Sequence, residues 1–360
     1  MTRYLLAGGG TAGHVNPLLA VADQLRIVDP DAVILVLGTS EGLEARLVPA
    51  RGYRLVSVAR VPFPRRLNAA ALRFPGRFLA LIRSVVRILA DNRIEVVVGF
   101  GGYVAAPAYL AARLKKIPIV VHEANARAGM ANRFGSVLTP FVGIAFARTS
   151  LRKARVVGMP LRAEIAALDR PTQREFARRE LGLDPLKQTL LVTGGSLGSD
   201  RLNRTLVATI SLILGTGWQV FHLSGTRSTL SYPSLAGYVV VPYCDDMHLA
   251  LASADLVLAR AGASTVSEIT ALALPAIYVP LAIGNGEQRL NAADAVAAGA
   301  AVAVDDSDFS ADWIADCLLP LLLSPSAVSA MAARAAALAV RDGSERVVGL
   351  IREAVSGRVG

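Results

Sequence analysis

Three stretches of this chain bring together residue types that suit chemistry on a phosphorylated substrate. In the first, strand-like Tyr4-Leu5-Leu6-Ala7 runs into Gly8-Gly9-Gly10-Thr11-Ala12-Gly13-His14, and Val15-Asn16-Pro17 then opens an Ala/Leu-rich helix. Such a unit aims backbone N–H groups and a helix N-terminus at one point, where a phosphate can sit. Glycines are needed because side chains would hold the backbone away from the anion. His14 lies just behind the loop, at the carboxyl end of the strand, where parallel sheets bind ligands. A histidine there can take a proton from a hydroxyl near neutral pH. Its alternative role is to order the loop alone.

The second stretch repeats the first half a chain later. Leu190-Leu191-Val192-Thr193 leads into Gly194-Gly195-Ser196-Leu197-Gly198. Two such units suggest two nucleotide-type domains facing one cleft. The third stretch is Asp255 to Ala259 followed by Arg260-Ala261-Gly262-Ala263-Ser264-Thr265-Val266-Ser267-Glu268. Small residues at a helix start again suit a phosphate, and Glu268 is placed to accept from ribose hydroxyls. Equally, Thr265-x-x-Glu268 has the form of a capping box, in which Glu268 only satisfies backbone donors. Polar loops also follow other strands: Gly101-Gly102-Tyr103-Val104, His122-Glu123-Ala124-Asn125, and Pro280 through Gly284-Asn285-Gly286-Glu287-Gln288 to Ala292. All are expected to face the cleft.

Two competing chemistries lose support. Gly8-x-Gly10-x-x-Gly13 matches the dinucleotide fingerprint, but the second strand ends in Gly38-Thr39-Ser40 and not in the acid that would hold a ribose. A metal-bound diphosphate would call for a well-placed Asp-x-Asp. Asp29-Pro30-Asp31 precedes a strand, at the wrong edge of a sheet, and Asp306-Ser307-Asp308 is expected to cap the next helix.

The elements that must position these residues alternate regularly. Strands are predicted near 4–7, 33–37, 96–99, 118–121, 156–157, 189–193, 218–223, 238–241, 255–259, 276–279 and 301–304, with helices between most of them. That rhythm argues for α/β parallel sheets with helices on both faces. Gly158 and Pro160 interrupt it, which predicts a first domain over 1–158 and a second over 159–340. The final segment, 341–360, is expected to pack back on the first domain, with Ser344 as N-cap and Val347, Val348, Leu350 and Ile351 as its apolar stripe.

Bulk composition fits this layout. A chain of 360 residues, 53% hydrophobic and 18% charged, is large enough for two cores. Cys244 and Cys317 make no disulfide framework and suit a reducing compartment, and a strand starting at Tyr4 predicts no signal peptide. Thr205 to Thr226 is uncharged, but Gly215-Thr216-Gly217 divides it into a helix and a strand. The net charge of +10 asks for an acidic partner. Arg60, Arg65, Arg66, Arg73, Arg77, Arg83 and Arg87 occur with no acid before Asp91, interleaved with Val61, Phe63, Leu67, Leu72, Phe74, Phe78, Leu79 and Leu81. This reads as an anionic-membrane patch, or as a solvated helix with an apolar core side. No recognised nucleic-acid module accompanies the charge, so no nucleic-acid partner is expected.

Taken in order, the glycine loops, Gly101-Gly102-Tyr103, His122-Glu123-x-Asn125, Arg260-x-Gly262-Ala263-x-Thr265-Val266-x-Glu268 and Gln288-x-x-Asn291-Ala292 resemble the MurG family of glycosyltransferases. The resemblance spans nearly the whole chain. It implies a GT-B fold of two Rossmann-like, doubly wound parallel-sheet domains. It also implies inverting transfer of GlcNAc from UDP-GlcNAc to lipid I, giving lipid II in peptidoglycan synthesis, without metal or other cofactor. The enzyme would work peripherally, at the cytoplasmic face of the cell membrane. Another UDP-sugar GT-B activity, a glycolipid synthase or a UDP-GlcNAc epimerase, is the alternative; the basic, apolar 60–90 region speaks against an epimerase.

By the same resemblance, Thr11, Ala12, Gly13, Asn125, Arg162, Ser196 and Gln288 would contact the donor. Cys244 and Ala263, Ser264, Thr265, Val266, Ser267 and Glu268 would surround its uridine and phosphates. His14 is the preferred base and Glu123 a second catalytic candidate. Ala12 stands where the family commonly has glycine, Met159 departs from a usual Val-Gly-Asn-Pro, and Glu287 replaces a frequent His or Gln.

Overall fold

The computed structural model describes residues 1–62, 64, 69–281 and 286–357. Among these residues the chain forms two sheets, of seven and six strands, and every strand pair in them is parallel. Contacts divide it into two compact units, Met1–Arg162 with Arg341–Gly360, and Ala163–Val340.

The first unit contains β1 (Arg3–Gly8), β2 (Val33–Gly38), β3 (Arg54–Ser57), β4 (Val96–Gly101), β5 (Ile119–Glu123), β6 (Val142–Ile144) and β7 (Ala154–Val156). Its strand order is β3-β2-β1-β4-β5-β6-β7. The chain therefore reverses its direction of growth between β1 and β4, and ligands of such sheets bind above that point. The central strands are buried on both faces, which explains why β4 reads as an unbroken apolar run, Val96-Val97-Val98-Gly99-Phe100-Gly101. On one face pack α1 (Ala12–Val28) and α2 (Glu44–Ala50). The other face carries α3 (Ala69–Asp91), α4 (Ala105–Leu114) and α5 (Met130–Leu138).

In the second unit, α6 (Ala163–Ala166) and α7 (Arg170–Glu180) precede β8 (Thr189–Thr193), α8 (Asp200–Gly215), β9 (Gln219–Leu223) and β10 (Tyr238–Val241). Then come α9 (Met247–Ser253), β11 (Leu256–Ala259), α10 (Ala263–Ala271), β12 (Ala276–Tyr278), α11 (Glu287–Ala297) and β13 (Ala301–Ala303). Finally α12 (Ala311–Trp313), a π-helical turn Ile314–Leu318, α13 (Leu319–Leu322) and α14 (Pro325–Ala336) complete it. The sheet order β10-β9-β8-β11-β12-β13 reverses between β8 and β11.

α15 (Gly343–Ser356) returns to the first unit and lays Val347, Val348, Leu350 and Ile351 into the core beside α1. Its N-cap is Asp342, not Ser344. Gly343, the first residue of α15, sits so close to Met159 O that a Cβ would collide, so only glycine fits where the helix begins. No single helix among the described residues is long and apolar enough to cross a bilayer; one pair bent by 85°, Ala311–Leu322 with Pro325–Ala336, passes by length and composition. The uncharged Thr205–Thr226 stretch divides between α8 and β9, as expected.

Candidate active site

Both glycine loops sit at the reversal points of their sheets. In the first unit the loop after β1 enters α1 through Thr11, which has extended backbone and makes no side-chain cap. Ala12 and Gly13 are thus first-turn residues, whose N–H groups have no partner within a helix. His14 follows, half-buried. Its Nδ1 is 3.2 Å from Gly9 O and 3.1 Å from Thr11 Oγ1. A carbonyl only accepts, so Nδ1 carries the proton and Nε2 the lone pair. Burial lowers the His14 pKa against opposing contributions from the Glu123 charge, the Gly9 carbonyl and the Glu44 charge. The ring is consequently a neutral base at pH 7.

Nε2 faces Gly101, at the end of β4. A Cβ there would lie 3.0 Å from both Nε2 and Cδ2, and Gly101 has a φ of +100°. Only glycine leaves room for the imidazole at this spot.

A residue that sequence pattern does not single out governs the same loop. Glu44, buried in the first turn of α2, reaches back across the sheet top. Its Oε2 accepts from Gly10 N at 2.9 Å, and Oε1 accepts from Thr39 N at 2.9 Å and Thr39 Oγ1 at 2.8 Å. Burial would raise its pKa, but these donors outweigh burial and hold the carboxyl below the ordinary value. The acid missing from the end of β2 is thus supplied by α2, turned onto the protein's own amides. Glu44 is 34 residues from Gly10, so no local motif announces it.

Glu123 behaves likewise. It is buried at the end of β5, and Oε1 accepts from Asn125 N at 2.9 Å and Asn125 Nδ2 at 3.4 Å. Oε2 accepts from Gly129 N and Asn132 Nδ2, both at 3.0 Å. Four donors leave this carboxylate a scaffold for the Asn125 loop and α5. His122, expected to face a ligand, is buried instead and contacts Gly158 O through Nε2 at 3.0 Å; burial pushes its pKa down to about 4. Arg162, half-buried, ends the first unit's main segment.

In the second unit the loop after β8 is ringed by hydroxyls and a cation. Thr193 Oγ1 accepts from Gly195 N at 3.2 Å, and Ser199 caps α8 by accepting from Leu202 N at 3.4 Å. Ser196 is exposed, and its carbonyl accepts from Thr226 N and Oγ1, each at 3.1 Å. Arg260, from the end of β11, donates to Ser199 Oγ at 2.6 Å and pairs with Asp306 at 2.5 Å. Arg201 also pairs with Asp306, at 3.4 Å. The expectation that Asp306-Ser307-Asp308 caps a helix therefore fails: Ser310 caps α12, and Asp306 is spent on two arginines. The other Asp-x-Asp lies where expected, ahead of β2 at the amino ends of the strands.

The helix after β11 starts earlier than the capping-box reading required. Gly262 is the N-cap of α10, so Ala263, Ser264 and Thr265 form its first turn and Glu268 lies in the second. Thr265 and Glu268 cannot be a capping box. Ser264 Oγ is enclosed with no hydrogen-bond partner among the described residues, the condition of a hydroxyl that a ligand satisfies. Val266 is buried, whereas Ser267 and Glu268 are half-buried. Gln288, in the first turn of α11, accepts through Oε1 from Leu281 N at 2.9 Å and Ala261 N at 3.2 Å. It ties two strand-end loops together. Cys244 is a half-buried thiol between β10 and α9. Gly284 and Asn285 of the neighbouring loop lie outside the described residues.

Two parallel sheets with phosphate-type loops at their reversal points form a nucleotide-binding architecture, and the comparisons narrow it to a class of transferase. The glycosyltransferase family 28 N-terminal domain matches residues 4–142 and the family 28 C-terminal domain matches residues 189–347. The chain belongs to glycosyltransferase family 28. A protein of Leifsonia xyli subsp. xyli, named UDP-N-acetylglucosamine--N-acetylmuramyl-(pentapeptide) pyrophosphoryl-undecaprenol N-acetylglucosamine transferase, is 58% identical over 356 residues, 99% of each chain. A Streptomyces coelicolor protein of the same name is 47% identical over 360 residues, again 99% of each. The crystal structure of Acinetobacter baumannii MurG superposes with a TM-score of 0.79 at 29% identity, covering 98% of this chain and 100% of that one.

Proposed function

We propose that the protein moves GlcNAc from UDP-GlcNAc to the MurNAc hydroxyl of lipid I, an undecaprenyl-diphospho-MurNAc-pentapeptide, with inversion, giving lipid II. Whole-length identity to transferases of that name supports the substrates. The geometric observation that carries the chemistry is the His14 ring, with Nδ1 committed to Gly9 O and Nε2 left basic. In this reading Nε2 takes the proton of the acceptor hydroxyl as its oxygen attacks the anomeric carbon. The bond from that carbon to the UDP oxygen breaks, and the electron pair leaves on UDP. The N-termini of α8 and α10, with Arg260 behind them, meet the leaving charge. The second unit holds the donor through Ser196, Ser264, Glu268 and Gln288. Thr11, Ala12 and Gly13 present first-turn donors to the transferred sugar, while Glu44 and Glu123 shape the first unit's loops.

Membrane docking on the first unit belongs to the same reading. α3 exposes Arg73, Arg77, Arg83 and Arg87 together with Leu79 and Leu72, the latter 86% exposed. Phe63, Arg65, Arg66 and Leu67 lie outside the described residues. The helix layer extends the patch beyond the stretch first singled out. α4 ends in exposed Arg113 and Leu114 before Lys115 and Lys116, and α5 exposes Met130, Phe134 and Val137 at helical spacing beside Arg133. Basic and apolar groups on one helix layer suit an anionic bilayer surface.

The test is radiolabelled UDP-GlcNAc with a short-chain lipid I analogue, followed by product analysis. Disaccharide formation that persists in excess EDTA is expected; free GlcNAc, epimerised donor or no turnover would refute the reading. Charge reversal at Arg73, Arg77 and Arg83 should release the protein from anionic liposomes while sparing turnover of the short-chain acceptor. Unchanged sedimentation would remove the patch from the account.

A further inference from the structure

The second glycine loop is held from beneath by a buried polar relay that touches none of the proposed donor contacts. β9 ends at Leu223, and the following segment passes under Gly194–Gly198. Gly198 and Gly225 meet there with φ of +85° and +88°. A Cβ on Gly198 would strike Ser224 O, and one on Gly225 would strike the Gly198 backbone. Whatever fixes Ser224 and Gly225 therefore fixes the loop above, together with the Thr226 donors to Ser196 O.

Asn203, buried one turn into α8, does the fixing. Its Nδ2 donates to Ser224 O at 2.8 Å and to Ser228 Oγ at 3.3 Å. Its Oδ1 lies 3.0 Å from Nε2 of His222, and His222 Nδ1 lies 2.9 Å from the Tyr238 hydroxyl. Every direction in this chain follows from one end. Ser224 O can only accept, so the amide presents Oδ1 to His222. His222 must then carry its proton on Nε2, and Tyr238 must donate to Nδ1. The relay runs Tyr238 to His222 to Asn203 to Ser224 O, with all four residues buried. Tyr232 closes the side, 2.5 Å from Ser228 Oγ and edge-on to the His222 ring.

We propose that Asn203 and His222 are positioning residues for the donor: they set the height and angle of the Ser196 loop and of the α8 N-terminus without touching the nucleotide. The inference deepens the reading of that loop as donor-binding and rests on it. A geometric role differs from a merely stabilising one because small displacements at a reacting centre are amplified in binding and rate.

The experiment measures UDP affinity by calorimetry and the donor and acceptor KM of full-length Asn203→Asp, Asn203→Ala, His222→Gln and Tyr238→Phe, well below each variant's melting temperature. Asn203→Asp keeps the size but cannot donate to Ser224 O. It should weaken UDP binding and raise donor KM roughly ten-fold or more, with acceptor KM unchanged. His222→Gln, which retains a donor toward Asn203, should lose less than Asn203→Ala. Tyr238→Phe is the mildest change and keeps the test alive if the Asn203 variants do not fold. Lower melting temperatures with parental UDP affinity and donor KM would overturn the proposal. Ser196→Ala, run alongside, should weaken UDP about 2- to 10-fold. If it does and the relay variants do not, the positioning role alone fails. If neither does, the donor-loop reading fails with it.

Discussion

The two glycine loops share a backbone plan and differ in what the fold puts under them. Each follows a central parallel strand, stands at the reversal point of its sheet and opens a helix. Beneath the first lies the Glu44 carboxylate, accepting from Gly10 N, and behind it the His14 imidazole. Around the second lie the Thr193 and Ser199 hydroxyls and the Arg260 guanidinium. A negative charge under a loop opposes a phosphate there, whereas hydroxyls and a guanidinium favour one. In the proposed reading the same motif serves proton chemistry on a neutral hydroxyl in one unit and a diphosphate in the other, where Arg260 and Arg201 together outweigh the Asp306 carboxylate between them.

Removing the base should produce the largest effect. His14→Ala is expected to lower kcat roughly 10²- to 10⁴-fold while donor affinity stays parental. Gly101→Ala should approach that loss, because its Cβ would press on His14 Nε2 from a backbone angle that alanine resists. Near-parental kcat in both variants would break the contrast between the loops. On the second loop, Arg260→Ala abandons Asp306 and Ser199 together. The pair is largely buried, so the variant should lose on the order of 3 kcal/mol of stability and bind UDP more weakly, as denaturation and calorimetry would show.

How much of this was legible beforehand follows from where the determining contacts lie. Alternating elements and both loops could be read because parallel strands buried on two faces leave continuous apolar runs. β3 and β6 escaped: Arg54–Ser57 is a half-exposed edge, and Val142-Gly143-Ile144 is too short to show a period. In β6, glycine is required because a Cβ would meet Val157. One helix start differs from the expectation, with Asp342 and not Ser344 as the N-cap of α15, and at α10 the Gly262 N-cap removes the capping-box alternative for Glu268. Glu44, the Arg260–Asp306 pair and the Asn203–His222 relay act across long sequence separations, so no spacing rule reveals them. Their residues are ordinary locally and decisive only once the sheets form.

Acid sharpens the comparison, because each unit buries one histidine whose pKa falls to about 4, His122 in the first and His222 in the second. Below about pH 6.5 the unfolded chain protonates these side chains while the folded chain does not until about pH 4. The folded state is thus fully favoured above pH 6.5 and loses stability as pH falls toward 4, on the order of 3 kcal/mol for each histidine. Denaturation midpoints at pH 7.5 and 4.5 check this; equal midpoints would contradict it. The smallest expected effect is that of Glu44→Gln. It removes a charge that raises the His14 pKa, so the acid limb of the kcat/KM profile should move to lower pH. The amide cannot accept as the carboxylate does, and about 1–3 kcal/mol of stability should be lost with it. An unmoved limb would detach Glu44 from the base.

The proposed division of labour gives the first loop the proton transfer and the second the donor nucleotide. Titrating UDP into His14→Ala and Ser196→Ala by calorimetry, beside the parent protein, separates these two jobs in a single measurement. His14→Ala is expected to bind UDP with parental affinity, although its turnover is lost, and Ser196→Ala to bind it more weakly. Weak UDP binding by His14→Ala together with parental binding by Ser196→Ala would contradict this division of labour.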